Sequence, residues 1–471
     1  MRATALRRGA VAATLLCAGA LAGGPVPAAS ALFTDSQPVV SAVTSRNSLG
    51  IAQVAGATAG CISNDGTSGN CQTGTAIHQP ANFVMSSDSA YAYGALYLGN
   101  AVGVFTRDSS TGALSRTQCI SNSNLTGCTT GKAVGEAWGV AISSDDKFVY
   151  YASYTSDAIA VFQRNPTDGT LSQLGGTSAC VSKTVSGCDS SYNGLNGADG
   201  IAVYGNNVYV TGYDDNSLTA YTRDPTTGAI TGQIGCWTNG TITGCTTIHN
   251  LGGAVEARVS PDGKSVYVVG YTDNAIAEFQ RNSAGTLTVP SGTAACVNTA
   301  GANGCATDAN IAGPYNLAVS PDNTSVYVAG YTNGTLNAFS RDTGTGALTR
   351  LTGTAGCIAN SATANCVTGS AMSNAEGVAV SPDSQDVYLV SHNSSTLEAF
   401  RRDTSTGALT QLPGAKGCIA NSSTTGCVTG KGLSSPIRVM VSPDGKDLYA
   451  SGGYVQGATT YGFIASCNRS R

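Results

Sequence analysis

The sequence predicts an all-β protein, a seven-bladed β-propeller of four-stranded antiparallel blades closed by an N-terminal strand that joins the last blade. Three observations carry this expectation. A unit of about sixty residues, typified by Pro314 to Cys366, recurs along nearly the whole chain. Each copy holds four short apolar-alternating runs separated by tight-turn signals, the pattern of antiparallel strands repeated radially. After about the first thirty residues no apolar stripe of helical period appears.

Within the reference unit, Asn316 to Ser320 is a run of small and apolar residues suited to an innermost strand buried on both faces. It ends in Ser320-Pro321-Asp322-Asn323, a turn signal repeated as Ser260-Pro261-Asp262-Gly263, Ser381-Pro382-Asp383 and Ser442-Pro443-Asp444-Gly445. Ser325 to Ala329 is a second strand, and a loop opening with Tyr331 leads into a third, Thr335 to Phe339. Arg341-Asp342 with Thr345-Gly346 forms the next turn, and Ala347-Leu348-Thr349 begins the fourth strand. Full repeats start near Ala81, Trp138, Asp199, Val255, Tyr315 and Glu376; a seventh starts at Ile437 and ends after a third strand at Gly457 to Phe463. The missing fourth strand is expected from the N-terminus, about residues 39–56, where Arg46-Asn47-Ser48-Leu49-Gly50 resembles Arg281-Asn282-Ser283-Ala284-Gly285. Such a strand would leave no open edge.

The first 31 residues read as a secretory signal: Arg2, Arg7 and Arg8 precede the apolar run Val11 to Leu21, and Ala29-Ser30-Ala31 has the form of a cleavage site. The apolar run is too short to span a bilayer. The propeller is expected over 32–467, with 468–471 as a polar tail. Apart from Cys17 and Cys467, the cysteines form seven close pairs: Cys61 with Cys71, Cys119 with Cys128, Cys180 with Cys188, Cys236 with Cys245, Cys296 with Cys305, Cys357 with Cys366 and Cys418 with Cys427. Local disulfides are the simplest connectivity, and they point to an oxidising, extracellular or cell-envelope location. The spacings lack the ligand pattern of a zinc site, and no metal or other cofactor is expected. With 11% charged residues and a net charge of -4, no basic face is available for nucleic acid. A monomer that is not membrane-embedded is expected.

The ladder Ser-Pro-Asp-Gly, Val-Tyr-Val, Ala-Ile-Ala-x-Phe and Arg-Asp-x-x-Thr-Gly-x-Leu, present at 260–287 and 320–348 and varied elsewhere, resembles the YVTN-repeat and lactonase-type seven-bladed propeller superfamily. The resemblance spans about residues 39 to 463 and implies acid-base residues at the starts of innermost strands, often in a Pro-x-His. Here the corresponding tripeptides are Pro80-Ala81-Asn82, Ala137-Trp138-Gly139, Ala198-Asp199-Gly200, Ala254-Val255-Glu256, Pro314-Tyr315-Asn316, Ala375-Glu376-Gly377 and Pro436-Ile437-Arg438. None ends in His.

Positions that differ between blades while their neighbours repeat are where structure does not dictate the residue. Glu256, Glu376, Asp199 and Arg438 are therefore candidate catalytic groups, a carboxylate set facing one arginine, with Glu256 or Glu376 as general base. Trp138, Tyr315 and Asn316 at the same strand starts are candidate ligand contacts. So are Tyr154, Tyr213, Tyr271, Tyr331 and His392 in the following loops, where Tyr454 completes the tyrosine set and aromatic faces could stack on sugar or peptide. One loop carboxylate per blade, at Asp157, Asp215 and Asp273, is too sparse for calcium. No Gly-x-Ser-x-Gly elbow, His-Glu-x-x-His or phosphate-binding glycine loop occurs. The expected function is a secreted, disulfide-stapled binding module for an extracellular small molecule, glycan or protein. The alternative is a lactonase-like hydrolase working at the channel mouth.

Overall fold

A computed structural model describes residues 50–56, 58–456 and 459–470. The proposed export segment and residues 39–49 of the closing strand lie outside the described residues. These residues form seven sheets, with short 3-10 turns as their only helical pieces. Each innermost strand contacts that of the next blade, and Pro436–Val441 of the seventh contacts Pro80–Met85 of the first. Seven apolar clusters fill the spaces between consecutive blades, the last joining Tyr449, Ile464 and Ile62 to Phe83 and Phe105.

The repeated residues of the ladder are the fasteners between blades. Second-strand tyrosines donate to the turn-glycine carbonyl of the following blade: Tyr93 to Gly169 at 3.0 Å, Tyr267 to Gly346 at 2.6 Å, Tyr327 to Gly407 at 2.7 Å. Those glycines have positive φ, +72° at Gly169 and +88° at Gly346, and a Cβ at Gly169 would lie 2.2 Å from the Tyr91 ring. Only glycine fits there. In return, the arginine ending each third strand reaches into the preceding blade. Arg341 bonds Tyr267 at 2.8 Å and Asp262 at 3.1 Å, and Arg402 bonds Tyr327 at 2.8 Å and Asp322 at 2.6 Å. Blade 7 joins blade 1 in the same way, through Tyr449 to Gly112 at 2.8 Å and Arg107 to Asp444 at 3.0 Å and to Asp447.

The last sheet takes in strands from the start of the described residues. Gly50–Gln53 and Cys61–Ser63 both pair antiparallel with the third strand, which runs Thr459–Ser470. The expected end of that strand at Phe463 and the expected tail from 468 are thereby corrected. Gly50 pairs with Ser470, and Arg469 is this blade's fastening arginine, 2.9 Å from Asp383 and 3.0 Å from Asp386. The expected four strands per blade become five or six. In blade 5 the fourth strand is broken into Leu348–Arg350 and Cys357–Ala359 by a 3-10 turn at Gly353–Gly356.

All seven expected local disulfides are present. Cys61 is bonded to Cys71, Cys119 to Cys128, Cys180 to Cys188 and Cys236 to Cys245. Cys296 is bonded to Cys305, Cys357 to Cys366 and Cys418 to Cys427. Each link folds the chain back at the outer edge of its blade. In blade 5 the Cys357 and Cys366 Cα atoms are 4.5 Å apart, which lets Ile358 pair in parallel with Val367. Cys467 is free and buried.

Candidate functional site at the channel mouth

Every innermost strand begins with a break in pairing. In blade 5, Pro314 pairs with Gly330 and Asn316 with Ala329, so Tyr315 stands outside the ladder. The same break leaves out Ala81, Trp138, Val255, Glu376 and Ile437, and in blade 3 both Asp199 and Gly200. A bulge of this kind re-aims the extra side chain. The seven strand starts therefore form two layers around the axis: the bulge residues at the mouth, and beneath them Asn82, Gly139, Gly200, Glu256, Asn316, Gly377 and Arg438.

The lower layer is a polar plug. Glu256 Oε2 accepts from Asn316 Nδ2 at 2.8 Å and lies 3.5 Å from Arg438 Nη2, although the two charged groups belong to blades 4 and 7. The Glu256 and Arg438 side chains are 1% and 4% exposed, and Arg258 Nε is 3.6 Å from the other Glu256 oxygen. Asn316 Oδ1 accepts from the Val378 amide at 3.0 Å, tying blade 5 to blade 6. The glycines of this layer sit against neighbouring backbone: a Cβ at Gly200 would lie 2.7 Å from Glu256 Cα, and one at Gly377 2.8 Å from Arg438 Cα. Below the plug a cavity of about 360 Å³ continues along the axis, bounded by Asn82, Asn316 and Arg438 and walled by Val, Ala and Met side chains.

The upper layer is aromatic. Tyr97 packs edge-on against Trp138 at 4.8 Å, Trp138 meets Tyr315 at 6.5 Å, and Tyr315 meets Tyr271 at 5.7 Å and Tyr331 at 5.9 Å. The Arg438 guanidinium lies 5.3 Å from the Tyr315 ring, linking the two layers. Tyr331 leads on to His392 at 6.2 Å, and His392 Nδ1 is 3.0 Å from Glu376 Oε2. Burial would lower the His392 pKa, but the Glu376 hydrogen bond and charge outweigh it and raise it above 6.5. Burial, with the Glu376 charge and Tyr271, pushes the Tyr331 hydroxyl up to about 12.

Of the four candidate catalytic groups, Glu256 and Arg438 meet. Glu376 turns to His392 instead, and Asp199 is fully buried at the start of its own strand. Tyr154 and Tyr213 lie 6.4 Å apart on the same face, where Tyr154 donates to Asp214 at 3.0 Å. The Tyr454 side chain lies outside the described residues. Two contributors went unread in the sequence. Tyr97 opens a 3-10 turn, Tyr97–Gly99, directly after the second strand of blade 1, the position that Tyr213, Tyr271 and Tyr331 hold in their blades, and that shared position was the available signal. Arg258, two residues beyond Glu256, gave none.

A propeller of seven blades with its variable residues gathered at one end of the axial channel defines the class. The chain belongs to the seven-bladed β-propeller lactonase family, whose model matches residues 78–235 and 205–369. No curated protein matches it significantly. Among solved structures, a Bacteroides uniformis protein provisionally assigned as a 6-phosphogluconolactonase is 17% identical with a TM-score of 0.50, over 70% of this chain and 83% of that one. The hydrazine synthase of Kuenenia stuttgartiensis is 14% identical with a TM-score of 0.50, over 80% and 93%. The periplasmic gluconolactonase of Pseudomonas aeruginosa is 13% identical with a TM-score of 0.49, over 75% and 86%. At these identities the likeness is one of fold.

Proposed function

We propose that the protein is an exported binding module whose channel mouth holds a cyclic, hydroxylated small molecule or glycan end. The observation that carries this reading is the set of half-buried loop rings, Tyr154, Tyr271, Tyr331 and His392, which stand on the buried Tyr97, Trp138 and Tyr315 cluster with Glu376 beside His392. Aromatic faces take up the apolar face of a sugar ring, and the polar groups beside them satisfy its hydroxyls. Seven disulfides support export to an oxidising space. The chain has two tryptophans, Trp138 and Trp237. In a Trp237→Phe background, Trp138 fluorescence reports the mouth directly. A sugar, aldonate and glycan panel should contain a ligand that quenches it saturably, and Tyr331→Ala should weaken that ligand roughly tenfold. A panel without response counts against the reading.

One observation favours a second reading, lactone hydrolysis: His392 is held at Nδ1 by Glu376, which frees Nε2 to act as a base. In that chemistry Nε2 takes a proton from water as the water oxygen bonds to the lactone carbonyl carbon. The ring C–O bond then breaks, the proton passes to the departing ring oxygen, and a hydroxy acid is released. Tyr331, protonated at neutral pH, is a suitable hydrogen-bond donor to the carbonyl. A pH-stat assay on an aldonolactone tests it. The rate should rise as pH passes the raised His392 pKa, and both Glu376→Gln and His392→Gln should lower it by about a hundredfold.

A further inference from the structure

The turns that join first to second strands break their own pattern once. Each supplies an aspartate to the fastening arginine of the following blade: Asp88 to Arg164 at 3.8 Å, Asp145 to Arg223 at 4.0 Å, Asp262 to Arg341 at 3.1 Å, Asp322 to Arg402 at 2.6 Å, Asp383 to Arg469 at 2.9 Å and Asp444 to Arg107 at 3.0 Å. In blade 3 the Ser-x-Asp is replaced by Tyr204-Gly205-Asn206, and Arg281 receives no carboxylate. Its guanidinium donates to Tyr209 Oη at 2.7 Å, Gly263 O at 3.0 Å and Asn207 Oδ1 at 2.7 Å, and it stacks 4.8 Å from the Tyr204 ring. All three acceptors are neutral. Three bonds also leave two of its five N–H groups uncommitted.

A cleft of about 810 Å³ opens at this place, between blades 3 and 4 at the turn end of the ring. Arg223, Lys264 and Arg281 line it, against one carboxylate, Asp262, which already bonds Arg341 through both oxygens. Arg223 is 4% exposed, and its Nη1 donates no hydrogen bond. The cleft thus combines an arginine that lost its usual anion, a buried arginine nitrogen with no acceptor, and an exposed lysine. Arg281 is half-buried with neutral partners only and Arg223 keeps Asp145 at 4.0 Å, so the cleft holds more cationic N–H donors than its own carboxylates satisfy, which favours an added acceptor.

We infer that this inter-blade cleft is an oxyanion site, taking phosphate or sulfate, free or carried on a sugar, with Arg281 as its central donor and Arg223 and Lys264 beside it. The anion stands where the other six blade junctions place an aspartate. Guanidinium forks suit such oxygens, and a lysine adds a point charge.

Calorimetric titration of the full exported chain with inorganic phosphate and with sulfate, in chloride-balanced buffer, tests the site. One-to-one binding is expected. Asn207→Asp places a carboxylate where Arg281 already finds the Asn207 side chain, copying Asp447, the residue at the same register in blade 7 that Arg107 binds. It should weaken phosphate binding by more than tenfold while the chain stays folded. Lys264→Ala, an exposed change that leaves the blade junction intact, should weaken it several-fold and reduce its salt dependence. A glucose 6-phosphate arm separates the two sources: tighter binding than inorganic phosphate indicates a sugar-borne group, equal binding a free anion, and either supports the site. Absence of binding to the unsubstituted chain, or affinity unchanged in both variants, would overturn the inference.

Discussion

Glu256 and Arg438 start strands on opposite sides of the ring, in blades 4 and 7, and still meet across the axis at 3.5 Å. With Asn316 at 2.8 Å from the same carboxylate oxygen, they close the channel at the level just below the aromatic mouth. A pair this buried serves first to neutralise itself, and without Arg438 the Glu256 carboxylate keeps only the more exposed Arg258, at 3.6 Å, as a cation beside it.

The first prediction follows from that burial. Arg438→Met leaves the Glu256 charge without its partner across the axis, and Glu256→Gln does the same to Arg438, so each should cost about 3–5 kcal/mol in chemical denaturation. The double variant should be more stable than either single one. Near-wild-type stability for both single variants would mean that the pair is not a structural plug.

Arg469 supplies the second. It joins blade 7 to Asp383 and Asp386 of blade 6, and its side chain is 3% exposed. Arg469→Ala should lower stability by about 3 kcal/mol, measured by thermal unfolding. A truly free C-terminal tail would show no change.

Glu278 makes stability pH-dependent. Burial, the dominant cause, raises its pKa from 4.5 to about 8, against the opposing Arg341 charge. The folded state therefore holds this proton more tightly than the unfolded chain. Its contribution is fully present below pH 4.5 and is lost as pH rises through about 8. Glu278→Gln keeps the shape and removes the titration, so the variant should be the more stable of the two at pH 9 and lose little between pH 6 and 9. A pH–stability curve parallel to that of the unsubstituted chain would contradict this.

Cys467 lies fully buried in the last blade, and burial, with the Asp447 charge nearby, pushes its thiol up to about 12. It should resist a thiol reagent in the native protein and react fully in denaturant without reductant. Nonreducing peptide mapping should find the seven local disulfides and an unlinked Cys467.

The ladder of repeated residues was readable because its members do the same job at most blade junctions. The Tyr of the second strand, the Gly of the Thr-Gly turn and the Arg that ends the third strand recur because a blade-to-blade contact demands them. The same regularity made exceptions visible, and Trp138, Tyr315 and His392 were found as departures from it. It misled at the seventh blade. The third strand was expected to end at Phe463, whereas it runs Thr459–Ser470 and carries Arg469 as the fastening arginine; Arg46 lies outside the described residues. The spacing of Gly and Phe in the last repeat gave no sign that the strand continued to the end of the described chain.

By itself, then, the sequence determined the number of blades, the local disulfides and the variable strand starts. Each of these depends on residues close together in the chain or on a repeat that can be counted. Only the tertiary structure decided that Glu256 answers Arg438 and not Glu376, that Glu376 holds His392, and that Arg281 alone among the fastening arginines lacks a carboxylate. Those partnerships join residues of different blades, and a bulge at each strand start sets where their side chains aim. Sequence spacing carries neither kind of information.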